Sequence, residues 1–187
     1  MTSEVAHLFR GNDFQSRRAI IGCALSHLEI WKQVADGDGN PCVVLEDDVE
    51  FAPAFPSRFV EVCGQLADLH PDFDLALLGY QSWRGPDAHA AGPWRTEVRV
   101  GPMDWSDLMG GGFGYIVSRD GARRLLACVA REGIRHGIDW FFVRQAAPQL
   151  HAVSTEPHLI SSRLAQPGSR DDSDIQHDFE PLRSPTP

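Results

Sequence analysis

Val43-Val44-Leu45-Glu46-Asp47-Asp48-Val49 joins an apolar, β-branched run to three consecutive carboxylates. Three such apolar residues in a row read as a strand buried on both faces, so the acidic cluster is expected where that strand leaves the sheet. Open α/β sheets bind ligands at that edge. Adjacent carboxylates repel and raise one another's pKa, a strain that a divalent cation or hydrogen-bond donors would relieve. A solvated acidic loop has the same local sequence, so the flanking segments have to decide between the two.

Upstream, Ile20, Ala24, Leu28, Trp31 and Ala35 fall at steps of three and four and predict a helix over Arg17–Ala35, with His27 near its apolar face. Asp36-Gly37-Asp38-Gly39-Asn40-Pro41 stops that helix and turns the chain into the strand. Residues 1–16 are weakly patterned. Downstream, Pro53 and Pro56 with Phe55, Phe59, Val62, Leu66 and Leu69 predict a second amphipathic helix. Phe73–Tyr80 reads as a second buried strand. Residues 81–109, rich in Trp, Gly, Pro and His, read as an irregular excursion of the kind that carries substrate contacts. Gly110–Ser118 reads as a loop entering a strand, and Ser118 as the N-cap of a helix from Arg119 to about Arg131. A short helix is expected near Asp139 and a last strand over His151–Thr155. From Ser161 the chain is polar and rich in Ser, Asp, Arg and Pro, which predicts a single domain over 1–160 and a wrapping or disordered tail over 161–187.

A chain of 187 residues suits one α/β domain. Its net charge of −9 argues against nucleic acid or an anionic membrane surface as partner. Cys23, Cys42, Cys63 and Cys128 lack the short spacing of zinc or redox motifs and read as reduced core residues. Neither a basic leader with an apolar core nor a run of about 18 apolar residues occurs, so the cytoplasm is the expected compartment.

Three segments occur in order: Ile21-Gly22-Cys23-Ala24-Leu25-Ser26-His27-Leu28-Glu29-Ile30-Trp31, Val44-Leu45-Glu46-Asp47-Asp48-Val49, and Gly112-Phe113-Gly114-Tyr115-Ile116-Val117-Ser118-Arg119-Asp120-Gly121-Ala122. Together with Ile138-Asp139 and Ser173-Asp174-Ile175-Gln176, the set resembles glycosyltransferase family 25, which includes lipopolysaccharide-type sugar transferases and the collagen galactosyltransferases. The resemblance runs from about Arg17 to Ile175. It implies a compact, truncated GT-A-like (Rossmann-like) sandwich with a mixed central sheet, and transfer of a hexose from a nucleotide sugar, usually UDP-linked, to an acceptor hydroxyl with inversion. It further implies a divalent cation, Mn²⁺ or Mg²⁺, on an Asp-x-Asp-like motif, here Glu46-Asp47-Asp48. Hard carboxylate oxygens suit such ions.

On that resemblance Asp48 is the direct metal ligand, Glu46 contacts metal or ribose, and Asp47 belongs to the donor site. Asp139 is the candidate base that deprotonates the acceptor, although an N-cap aspartate has the same local sequence. A late histidine is a further metal ligand, His158 being preferred over His151. Gly112 marks a close backbone approach to donor or acceptor, Trp83 and Arg84 a sugar contact, and Ser173 and Asp174 a segment closing over the donor. Ser26 and His27 point about 100° apart on a helix and cannot form a catalytic pair, so His27 is expected to be a packed, hydrogen-bonded residue locking its helix onto the acidic strand. Family members usually begin with a further strand and helix, whose place is taken here by residues 1–16. The exposed sheet edge then favours a homodimer or a partner protein completing the donor site. A non-catalytic partner subunit and a metal-dependent hydrolase on the same fold stay open as alternatives.

Overall fold

Val44 is 4% exposed, whereas Val43 and Leu45 on either side of it are 40% and 42% exposed. In the computed structural model, which describes residues 2–85, 88–90 and 97–162, this run is strand β1 (Cys42–Leu45). It is not buried on both faces, as its composition suggested, because β1 is an edge strand covered on one face only. The central sheet has the order β1-β5-β3-β6-β4, with β3 (Leu75–Ser82), β4 (Arg99–Pro102), β5 (Leu108–Val117) and β6 (Ala152–Glu156). β3 and β6 run parallel and the other neighbours antiparallel, so the protein is an α/β structure with a mixed five-stranded sheet flanked by helices. β4 lies within the stretch expected to be irregular. The glycine run at 110–112 belongs to β5, where Gly110 pairs with Gln81 and Leu108 with Ser82, and is not a loop before it.

Alternation along β3 builds two cores. Leu75 and Leu77 enter one with Trp31, Leu125 and Phe141, while Ala76 and Leu78 enter the other with Val62, Leu66 and Ile160. Helices α2 (Arg18–Asp36) and α4 (Arg119–Glu132) pack beside each other over the first core. Helix α3 (Phe55–Leu69) supplies Val62 and Leu66 to the second; Leu69, at the end of its apolar stripe, is exposed. Ser118 caps α4, its Oγ accepting the Gly121 N–H at 3.0 Å. A short α1 (Ser3–Leu8), with Phe9 and Phe14 buried after it, orders the weakly patterned start. After α4 come α5 (Ile138–Phe141) and a π-helical turn (Phe142–Ala146).

A separate ribbon joins β2 (Val49–Phe51) to β7 (Ile160–Ser162), and β7 carries the fold through Ser162. This ribbon lies hard against the main sheet where Gly79 of β3 faces Gly114 of β5. A β-carbon on Gly79 would fall 1.9 Å from the Ile160 carbonyl oxygen, and one on Gly114 would fall 2.7 Å from Ile160 Cδ1 and 2.8 Å from Leu45 Cδ2.

The two faces of α2 and β5 are tied by a buried polar set. The Tyr115 hydroxyl accepts the Trp31 indole N–H at 2.9 Å and lies 2.7 Å from His27 Nδ1. Indole can only donate, so the hydroxyl oxygen accepts from Trp31, and the direction of its contact with Nδ1 follows the tautomer of the neutral His27 ring. His27 is thus packed and hydrogen-bonded as expected, but it locks onto β5, the neighbour of the acidic strand. Burial pushes its pKa down to about 4.

Gly79→Ala should destabilise the protein by about 1–3 kcal/mol or more, because backbone atoms must move. Gly64→Ala, in the interior of α3 with nothing within 4 Å of its β-carbon, should instead stabilise it by about 0.5–1 kcal/mol. Urea midpoints read both. For metal-free protein, the contribution of neutral His27 is complete above its unfolded pKa of 6.5 and is lost as pH falls toward about 4. That loss amounts to about 3 kcal/mol. His27→Asn should therefore lack this part of the stability-versus-pH slope between pH 7 and 4.5.

Candidate active site

Strands β1 and β3 point the same way, both antiparallel to β5, so the end of β1 lies beside the carboxyl end of β3. Glu46 extends the ladder by one residue, its N–H donating to the Phe113 carbonyl at 3.0 Å. Asp47 and Asp48 then form the turn into β2. Asp48 Oδ2 accepts the Ser162 hydroxyl at 2.6 Å, while Oδ1 is buried with no hydrogen-bond partner among the described residues. A buried carboxylate oxygen left unpaired is costly, and a cation is the ligand that would satisfy it.

Asp139 arrives from α5 at the same end of the sheet. Its Oδ2 accepts the Gly111 N–H at 3.0 Å and its Oδ1 the Trp140 N–H at 2.8 Å. The N-cap of α5 is Gly137, so Asp139 stands inside the helix and is not its capping residue. Glycines make the approach possible: a β-carbon on Gly110 would lie 3.1 Å from Asp139 Oδ2, and Gly111 has a φ of +61°. Gly112 sits between these residues and Gly114 in β5, where a β-carbon would meet only the Phe142 ring at 3.7 Å.

Glu46 registers the convergence. Burial first, then the charges of Asp48, Asp139 and Asp47, push its pKa up to about 7. Elsewhere the buried acids have cationic partners: Asp74 faces Arg124 at 3.2 Å, and Asp107 faces Arg84 at 3.2 Å and His89 at 2.6 Å. Among the described residues no ion pair forms on Glu46, Asp47, Asp48 or Asp139. The donor set and the unpaired oxygen of Asp48 suit a hard divalent cation.

One neighbour of Glu46 was not among the site residues read from the sequence. Ligand atoms of Cys23, His27 and Glu46 lie within 4.8 Å of one another. The spacing of Cys23 and His27, one helical turn apart, was the available signal; taking Cys23 as a core residue hid it.

The late histidines lie elsewhere. His151 precedes β6 at the opposite end of the sheet, its N–H donating to Asp74 Oδ2 at 2.8 Å. His158 stacks on His89 and packs at a tilt on Tyr80, with ring centroids 4.5 and 4.3 Å away, and does not join Glu46 and Asp48 in one cluster of ligand atoms. Its Nε2 is buried without a partner among the described residues. Burial lowers its pKa to about 3. His89 bridges Asp107 and Glu156 beside an open cleft of about 350 Å³. Burial raises the Asp107 pKa, but hydrogen bonds from Ser82 and His89 and the charges of His89 and Arg84 outweigh that and hold it low. Trp83 is exposed, and Arg84 is committed to Asp104 and Asp107. Ser173 and Asp174 lie outside the described residues. No helix of the described residues is long and apolar enough to cross a membrane.

Residues 17–83, which contain α2, the acidic turn and β3, match the family model described as Glycosyltransferase family 25 (LPS biosynthesis protein). A protein of Acanthamoeba polyphaga mimivirus that carries a glycosyltransferase name is 31% identical over 173 residues, covering 90% of this chain and 51% of its own. Procollagen galactosyltransferase 2 of Homo sapiens is 28% identical over 109 residues, 58% of this chain and 17% of that protein. A glycosyltransferase 25 family member of Aedes aegypti is 31% identical over 106 residues, 57% of this chain and 16% of its own. The chain therefore spans about half the length of the viral relative and a small part of the animal ones. With the family model on residues 17–83 and glycosyltransferase-named relatives aligned over 57–90% of the chain, the resemblance is shown, and the chain is related to glycosyltransferase family 25.

Proposed function

We propose that the protein is a metal-dependent glycosyltransferase that moves a hexose from a UDP-linked donor to a hydroxyl of a saccharide, peptide or small-molecule acceptor, with inversion. The observation that supports this most is the convergence of Glu46, Asp47 and Asp48 with Asp139 at the carboxyl end of β1, uncompensated by any cationic side chain among the described residues. The galactosyltransferase names of the animal relatives make UDP-galactose the first donor to try.

Asp48, through its unpaired Oδ1, and Glu46 would hold Mn²⁺ or Mg²⁺. Such an ion, when bound, neutralises the charge of the departing nucleoside diphosphate. Ser162 fixes the Asp48 carboxylate through Oδ2 and leaves Oδ1 for the ion. Asp139, oriented by the backbone N–H groups of Gly111 and Trp140, takes the proton of the acceptor hydroxyl as its oxygen forms the new bond to the anomeric carbon and the donor's bond to phosphate oxygen breaks. Gly110 keeps a side chain out of the space beside that carboxylate, and Gly112 lets donor or acceptor approach the β5 backbone. Trp83, which is exposed, offers an aromatic face to a sugar. The half-exposed edge of β1 is where a second copy or a partner protein would extend the sheet toward the nucleoside.

Isothermal titration calorimetry should find UDP binding that requires Mn²⁺ and that folded Asp48→Asn loses. Ser162→Ala should weaken the metal-dependent part by roughly 10–100-fold. Absence of binding by the folded wild type, across UDP and a UDP-hexose panel, would sink the stand-alone transferase. Asp139→Asn should keep donor binding and lower kcat by about 10²–10⁴-fold in a galactose-transfer assay with an acceptor screen. Product formed without any acceptor would identify a hydrolase instead.

A further inference from the structure

Helix α2 brings a second kind of donor to the inner side of the acidic turn. Cys23 and His27 are four residues apart on it, hence on one face, and Glu46 reaches that face from the end of β1. The Cys23 sulfur, a ring nitrogen of His27 and a Glu46 oxygen lie within 4.8 Å of one another. Among the described residues no hydrogen bond engages the Cys23 thiol or the Glu46 carboxylate.

We propose that Cys23, His27 and Glu46 form a binding site for a borderline-soft divalent ion of the zinc type, distinct in its sulfur and nitrogen ligands from the oxygen site at Asp48, with which it shares only the Glu46 carboxylate. One sulfur, one imidazole nitrogen and one carboxylate oxygen are the mixture that such an ion takes, whereas Mg²⁺ and Mn²⁺ favour oxygen throughout. Three protein ligands leave the fourth position of a tetrahedron to water. The Tyr115 hydroxyl oxygen, held by the Trp31 indole, lies 2.7 Å from His27 Nδ1 and fixes the ring; with the ring hydrogen on Nδ1 donated to that oxygen, the Nε2 lone pair is left for the ion. The three ligands come from a long helix and the end of a sheet strand, so little chain has to be ordered when the ion binds. Cys42, Cys63 and Cys128 have no place in the cluster. The site stands on these residues whether or not the protein transfers sugar.

The test is a Co²⁺ titration of the full chain, freed of metal by chelation and kept anaerobic, followed by absorption. A thiolate-to-cobalt charge-transfer band in the near ultraviolet, with intense visible bands of tetrahedral cobalt, should saturate at one ion per chain. Cys23→Ser should lose the charge-transfer band, while Cys63→Ser and Asp48→Asn should keep it. No such band in the folded wild type, or one unchanged in Cys23→Ser, overturns the site; loss in Asp48→Asn overturns its separateness. Zinc-edge X-ray absorption of the wild type loaded with one Zn²⁺ needs no variant. One sulfur among the ligands is expected, and nitrogen and oxygen alone would overturn the assignment. Loss of Mn²⁺-dependent UDP binding in Asp48→Asn with the cobalt band kept supports the two sites as distinct, and a wild type that shows the band but no UDP binding fails only as a transferase.

Discussion

The Ile160 carbonyl oxygen lies 1.9 Å from where a β-carbon on Gly79 would stand. That approach lets β7 lie directly on the main sheet, and Gly114 across the ladder clears room for the Ile160 side chain. β7 then pairs with β2 and places Ser162 under Asp48. An exposed-looking acidic triplet is thereby given a fixed geometry: Glu46 by the β5 ladder, Asp48 by a serine two residues beyond the glycine contact. Without the two glycines the ribbon would have to lift off the sheet, and Asp48 would lose the hydroxyl that orients it.

Charge is distributed with a purpose that the net value of −9 does not express. Buried acids that hold the fold together are matched by arginine or histidine, as at Asp74 and Asp107. Those at the end of β1 are matched by backbone N–H groups and one hydroxyl, which orient a carboxylate without cancelling its charge. Burial first, and then these neighbouring carboxylates, raise the pKa of Glu46. A set of like charges kept close together in this way has free energy to give to whichever cation enters it.

Long periodic segments were legible in the sequence. The apolar steps of α2, α3 and α4 and the Ser118 cap fixed those helices to within a residue or two, because each element offers several turns of pattern. β2 and β7 have three residues each, too few to show a period, and their pairing joins positions more than 100 residues apart. The exposure of Val43 and Leu45 depends on what lies beside β1, which a run of branched residues does not state. The acidic triplet and Asp139 stand out in the sequence through ordered motifs, whereas their approach to one another depends on the glycines of β5 and on the fold that brings α5 to them. The place of His158 is not legible for the opposite reason: its packing on His89 and Tyr80 depends on how the excursion after β3 folds back.

Asp47 and Asp48 form the turn that bridges two independently paired sheets. Glu46 is fastened to the five-stranded sheet through the Phe113 carbonyl, and Asp48 to the two-stranded ribbon through Ser162. Only Asp47 separates the two anchors along the chain. Any sliding of the ribbon over the sheet is therefore converted, within one residue, into a change of the distance between the two carboxylates, and a ligand that bridges them works in return as a clamp between the sheets.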